Sequence, residues 1–391
     1  MPGIRITGLR ATPVNIPLEK PMWWTGGLYP GTSKTIIEIE TDQGLVGLGE
    51  APSIDVLGAI RAMGERLGGA DPLDIAGCES LCAPPWQSVQ NTDDSSFVKA
   101  FGALEIALWD LRGKVAGEPL YRLLGGAVRK DIPFTEYFSF RDGGEVSPQA
   151  VADYCLKMRE EHGSTMFEGK LILGDAKLEI DTVKALRAAL GPDAMIRLDS
   201  NMQWSLPTAL RVFREIDPYD IRNYEDPVAP FEEMAELRRH FTIPISTHVP
   251  DIRRAVALGA PDYIVTNFAV LGGIGRAVRF IGACEAMGVG FWCYSGDAGI
   301  ATSAYLHMSA AMPWITEPSQ SLCRWQIGDV NEGGPFRQTA IIVRVPEGPG
   351  LGVTLNRDAL HHWHSHLVDN GPLDHFHDPA KPGQYRRLPL N

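Results

Sequence analysis

In the middle of this chain, acidic and other polar side chains recur where short apolar runs end. Asp199 closes Arg-Leu-Asp, with Asn201 two positions on; Glu225 closes Tyr-Glu; and His248 follows Ile-Ser-Thr. Glu168 and Lys170 precede them, and Asn267, Tyr294 and Glu317 come after. Hard oxygen donors on successive strands are what Mg²⁺ requires, at about 2.0–2.1 Å in an octahedral shell completed by substrate oxygens and water. Alone, Asp199 could cap a helix and Glu225 could be a salt-bridged loop carboxylate. As a pair on neighbouring strands they read as metal ligands, with His248 in line as a third. Imidazole is softer than Mg²⁺ prefers, so Mn²⁺ is an alternative.

These residues share one face only if the runs are strands of a parallel barrel. From about residue 132, short apolar segments alternate with amphipathic helical patterns every 20–35 residues or so. The predicted strands are Ile132–Phe138, Met166–Leu171, Met195–Leu198, Ile221–Tyr224, Ile243–Ser246, Tyr263–Val265, Gly290–Cys293 and Trp314–Thr316. Eight such units imply a β/α barrel, whose sites lie at the C-terminal ends of the strands. Alternation along a strand puts Glu168 and Lys170 on the same interior face. Upstream, Ile4–Pro17 and Lys34–Leu48 read as strands and Ser96–Leu124 as a buried helix. Lys20–Gly31, with Trp23, Trp24 and several glycines, reads as a loop closing over something apolar. The expected division is a capping domain over residues 1–128, a barrel over 129–330, and a C-terminal segment over 331–391 that carries a further strand, Thr339–Val345.

The order and spacing of several motifs resemble the enolase superfamily, nearest its mandelate racemase and glucarate dehydratase branches. They are Gly44–Pro52, Ala103–Leu111, Leu198-Asp199-Ser200-Asn201, Tyr224-Glu225-Asp226-Pro227, Leu271–Ile274 and Pro349–Val353. The resemblance covers nearly the whole chain. It implies an α+β capping domain over a modified (β/α)7β barrel of TIM type, with Mg²⁺ held at the third, fourth and fifth strands. Asp199 and Glu225 match the first two ligand positions; His248 stands where the family usually has Glu, Asp or Asn.

The resemblance also implies that Lys170 is the base that removes the proton next to a substrate carboxylate, with Glu168 in place of the family's first lysine. Another register would put Ile172 at the base position, and Lys170 paired with Glu168 could be purely structural. A neighbouring carboxylate favours the charged amine, so Glu168 would oppose a basic Lys170. On the opposite face, Asn267 and Tyr294 replace the family's Asp and His. Asn267 also reads as a strand-end cap. Tyr294 can donate a proton but is a poor base at neutral pH. Glu317 matches a position that donates to the substrate carboxylate. Cap residues such as Trp23 and Trp24, with Asn201, would contact the substrate. Groups this unequal on the two faces suit a lyase that dehydrates a sugar acid to a 2-keto-3-deoxy acid. An epimerase, racemase or cycloisomerase is the alternative, and a non-catalytic carboxylate-binding relative a third.

The resemblance implies a small-molecule carboxylate substrate, and composition is that of an ordinary soluble protein with a large core. The chain has 391 residues, 44% hydrophobic and 21% charged, and a formal net charge of −12, which argues against a nucleic-acid partner. No 18-residue apolar stretch suggests a membrane span, and no signal peptide is visible. Six scattered cysteines suit a reducing cytoplasm. The resemblance implies a homo-oligomer. His361, His362, His364, His366, His375 and His377 read as an exposed tail or subunit contact rather than a metal site.

Overall fold

The computed structural model describes residues 3–24, 27–83, 95–170 and 175–373. The β-branched and aromatic residues of the first fifty positions form three strands: β1 (Ile6–Trp24), β2 (Gly27–Thr41) and β3 (Val46–Ala51). They make an antiparallel sheet in that order. Lys20–Gly31 is therefore not a loop, apart from 25–26, which lie outside the described residues. It is the far end of the β1–β2 hairpin, where Met22 pairs with Tyr29 and Trp24 with Gly27.

Strand β3 lies directly on the helix Ser95–Ala116, and its glycines permit this. A Cβ at Gly47 would stand 2.3 Å from the Ala107 carbonyl oxygen, and one at Gly49 2.4 Å from that of Ala103. The helix then fastens other parts of the chain. Asp110 accepts from the amides of Leu48 and Leu351, both at 2.8 Å, and Glu105 accepts from the Gly275 amide.

A parallel barrel follows β4 (Asp131–Pro133). Its strands are β5 (Glu136–Ser139), β6 (Met166–Lys170), β7 (Met195–Asp199), β8 (Asn223–Glu225), β9 (Ile245–Thr247), β10 (Tyr263–Thr266), β11 (Gly290–Ser295) and β12 (Gln320–Ser321). Neighbours pair in parallel in chain order. The ring closes beside β12 and β5, where the Thr135 amide donates to the Ser319 carbonyl and the Ser319 amide to that of Pro133, both at 2.9 Å. Helices cover the outside. Leu206–Ile216, for example, buries Thr208, Ala209, Val212, Phe213 and Ile216, the stripe expected of an amphipathic helix. Gly299–Ala311 is buried on every side.

Two predicted strands shift. Ile132–Phe138 splits at Pro133: β4 leaves the barrel to pair antiparallel with β13 (Ile342–Arg344), and β5 alone enters the ring. Trp314–Thr316 is not a strand; the eighth barrel strand is Gln320–Ser321. The last described helix, Arg357–Asn370, rests on the first sheet, with Arg357 on Glu38 at 2.7 Å and His364 Nδ1 against the Pro13 carbonyl, also at 2.7 Å. No described helix is long and apolar enough to cross a membrane.

Candidate active site

Parallel pairing sets β6, β7 and β8 in register, with Lys170 beside Asp199 and Asp199 beside Glu225. His248 follows β9 directly. One ligand atom from each of Asp199, Glu225 and His248 lies within 4.8 Å of the other two, the only such group of metal-ligand side chains among the described residues. Asp199 and Glu225 are each 1% exposed. Burial, with Asp199 alongside, pushes the Glu225 carboxyl up to about 8.

The donor set fits a divalent cation. Glu225 Oε2 has no hydrogen-bond partner, and Oε1 meets His248 Nε2 at 2.6 Å. His248 turns its Nδ1 to the Val265 carbonyl at 3.0 Å, which fixes the ring and leaves Nε2 facing the carboxylates. Metal-bound histidines are commonly oriented this way. Crowded, desolvated carboxylates with an orphaned oxygen are a site for positive charge.

Lys170 reaches the same point. Its amine donates to Asp199 and, at 2.7 Å, to Asn201 Oδ1. Asn201 is left-handed (φ 44°), and its backbone and side-chain nitrogens both return to Asp199, at 2.7 and 3.0 Å. Ile172, the alternative base position, lies outside the described residues.

Above these groups opens a cavity of about 310 Å³. Lys170, Asn201, His248, Asn267 and Tyr294 line it, and so does Trp24, whose ring centre is 6.0 Å from the Lys170 amine. The Tyr294 ring meets the His248 ring edge-on, with centres 5.2 Å apart. Burial foremost pushes the Tyr294 phenol up to about 12, so it stays protonated. Asn267 caps a short helix by accepting from the Val270 amide at 3.1 Å.

Three expected contacts fall elsewhere. Trp23 points to the other face of its strand and packs against the barrel core, since alternation sends only Met22 and Trp24 to the cavity. Glu168 does point into the barrel, but it is held beneath the cavity by Arg197 at 3.0 Å and the Thr135 hydroxyl at 3.1 Å. Glu317 sits at the opposite end of the barrel, ion-paired with Arg222 just before β8. The cavity residue from the eighth strand is Gln320.

Sequence reasoning missed Gln320, Leu322, Tyr29 and Tyr137. Only Tyr29 had a readable signal, its register opposite Met22 once the hairpin is recognised. Sequence gave no sign of the buried Lys34–Asp297 pair either, with its 2.6 Å contact between β2 and the loop after β11. The four described histidines of the C-terminal cluster gather no metal-ligand set, and His375 and His377 lie outside the described residues. All six cysteines are buried and free.

Comparison with known proteins points the same way. Residues 6–125 match the mandelate racemase / muconate lactonizing enzyme N-terminal domain, and residues 150–359 the enolase C-terminal domain-like family. The chain is 28% identical to a probable glucarate dehydratase of Streptomyces coelicolor, over 96% of this chain and 95% of that protein. It is 28% identical to cis-3-hydroxy-L-proline dehydratase of Roseibium aggregatum, over 91% and 98%. A crystal structure of an enolase from Pseudomonas fluorescens with bound magnesium, potassium and tartrate superposes with a TM-score of 0.86 at 27% identity, over 95% of this chain and 94% of that one. Further relatives are named as racemases and cycloisomerases.

Proposed function

This chain belongs to the mandelate racemase / muconate lactonizing enzyme group of the enolase superfamily, and from that premise we propose that it removes the proton next to a substrate carboxylate and eliminates water from a hydroxylated acid. The observation that carries this reading is the Lys170 amine, buried on the Asp199 carboxylate of the cation-sized triad and beside an open cavity. Asp199, Glu225 and His248 would hold Mg²⁺, which, when bound, draws charge from the substrate carboxylate and so makes its α-proton more acidic.

Lys170 must be neutral to accept that proton. Burial is the largest influence on its amine and lowers its pKa, but Asp199 and Glu225 together hold it above the ordinary lysine value. Their negative charge must therefore be compensated before Lys170 can act. Asn201 fixes the amine's direction. Across the cavity, Asn267 cannot act as a base, and Tyr294 keeps its proton. One base facing one acid suits loss of a β-hydroxyl, with Tyr294 protonating the departing oxygen. Interconverting two epimers in both directions asks for a group on each face that can both take and give the proton, and a phenol held protonated is a poor acceptor. Sugar acids are the substrate class we favour, in keeping with the named activity of the Streptomyces relative.

The test is incubation with a panel of hydroxy acids and Mg²⁺ in D₂O, following keto-acid formation and α-deuterium together. A dehydratase forms the keto acid, and chelation abolishes the reaction. Deuterium entering at the α-carbon of recovered, still hydroxylated acid with its configuration inverted would make the protein an epimerase instead. Neither product from any acid, with no Mg²⁺ bound at the triad, would leave a carboxylate-binding protein.

A further inference from the structure

The charge lining the cavity restricts the distal end of the substrate, an argument that rests on the carboxylate reading above. Among the described residues that line the cavity, Lys170 and His248 alone carry basic side chains. Both are committed to the reacting end, Lys170 by Asp199 and Asn201, His248 by Glu225. Much of the remaining wall is aromatic or aliphatic, with Trp24, Tyr29 and Leu322 prominent. Gln320 is 1% exposed, and neither atom of its amide group has a protein partner. Among the described residues, the cavity thus keeps a neutral donor and acceptor, and no spare cation, for the rest of the ligand.

Three other buried cations of the neighbouring elements are engaged and do not line the cavity. Arg197 is held beneath it by Glu168 at 3.0 Å. Lys34 is held by Asp297 at 2.6 Å. Arg141 is held by Glu145 at 2.8 Å, with its guanidinium 4.3 and 4.5 Å from the ring centres of Tyr154 and Trp325. The two undescribed stretches that directly adjoin lining residues in sequence, 25–26 (Thr, Gly) and 171–174 (Leu, Ile, Leu, Gly), carry no charged side chain. A carboxylate moved from water against aromatic and aliphatic walls, without a counter-cation, is strongly disfavoured. An arginine fork is the side chain best matched to holding a further carboxylate, and none lines the cavity among the described residues.

We propose that the cavity takes hydroxy acids bearing a single carboxylate, with a neutral distal end lying against Trp24 and Tyr29 and hydrogen-bonded through Gln320, and that it rejects dicarboxylates. The test compares the Mg²⁺-loaded full-length protein with six-carbon pairs differing only at the distal carbon, gluconate against glucarate and galactonate against galactarate. Affinity is read by calorimetry and α-proton exchange by NMR in D₂O. The monoacid of at least one pair is expected to bind tenfold or more tighter than its diacid. Leu322→Arg is expected to shift that ratio tenfold or more toward the diacid. If the monoacid binds preferentially but no acid exchanges its proton, charge selection stands and the proton-abstraction reading fails. If the diacid binds as well or better, or if neither member of either pair binds, the selection is overturned whatever the exchange shows.

Discussion

The Lys170 amine lies between two functions, ion-paired with Asp199 and aimed at the space a substrate would fill. Lys170→Ala is expected to leave the barrel intact and removes the one amine among the described residues that line the cavity. It is expected to lower keto-acid formation about 10²–10⁴-fold, the usual contribution of a positioned general base. Circular dichroism should be unchanged, and full turnover in this variant would refute the assignment. Tyr294→Phe tests the other half of the elimination. It keeps the ring against His248 and deletes only the hydroxyl. Product formation is expected to fall roughly 10²-fold while α-deuterium exchange persists, because exchange needs Lys170 alone. Equal loss of both rates would place Tyr294 in substrate binding instead.

At the level of elements, the β1–β2 hairpin makes a distinction that composition hides. Trp23 and Trp24 are adjacent, yet the pleat sends Trp24 to the cavity and Trp23 to the barrel core. Trp24→Ala should raise KM or lower kcat with little change in Tm. Trp23→Ala should lower stability by about 2 kcal/mol or more in urea unfolding while KM holds, since it removes partly buried packing rather than a substrate contact. The helix Ala176–Leu190 offers a pH test of its seat on the barrel. Its Glu179 accepts from the Tyr224 hydroxyl of β8 in a buried setting, and burial raises the carboxyl to about 8. The folded state therefore holds a proton that the unfolded state releases near 4.5. The stabilisation is complete below that value and is lost as pH rises through about 8, by at most about 1.4 kcal/mol per unit. Glu179→Gln should flatten that slope; an unchanged slope would assign the pH dependence to other groups.

The same elements show what could be read from sequence. Seven of the eight predicted barrel strands overlap observed ones, because runs such as Tyr-Ile-Val at 263–265 are apolar, short and set between polar or turn residues. The eighth failed because its strand is Gln320–Ser321, two polar residues without an apolar signature, while the apolar Trp-Ile nearby lies in a turn beneath the barrel. That error carried Glu317 to the wrong end of the barrel. Asp199, Glu225, His248 and Lys170 were legible because parallel neighbours end in register. Gln320, Leu322 and Tyr137 were not, because only the closed ring brings them together.

For the whole molecule, the question is what holds the antiparallel sheet on the barrel mouth, where its hairpin completes the cavity. The motifs that carried the family resemblance are largely those fastenings. Glu50, in the Gly44–Pro52 stretch, accepts from the amides of Ala298 and Ala301 at 2.6 and 2.9 Å, at the start of the buried helix Gly299–Ala311. Asp110 and Glu105 hold Leu351 and Gly275 in the same way. Lys34 adds a charged fastening. Its amine, 5% exposed as a residue, donates to Asp297 at 2.6 Å and to the Pro52 carbonyl at 2.9 Å. Removing one member of a buried ion pair strands the other charge, so Lys34→Met is expected to cost about 3–5 kcal/mol in urea unfolding. A well-packed apolar pair of similar volume can replace such a bridge with little loss, so Lys34→Met with Asp297→Leu should recover most of that stability. Activity separates this fastening from the chemistry. If the pair only holds the sheet in place, the double variant regains turnover along with stability. If stability returns and turnover does not, the charges act on the adjoining Tyr294 side of the cavity as well as on the interface.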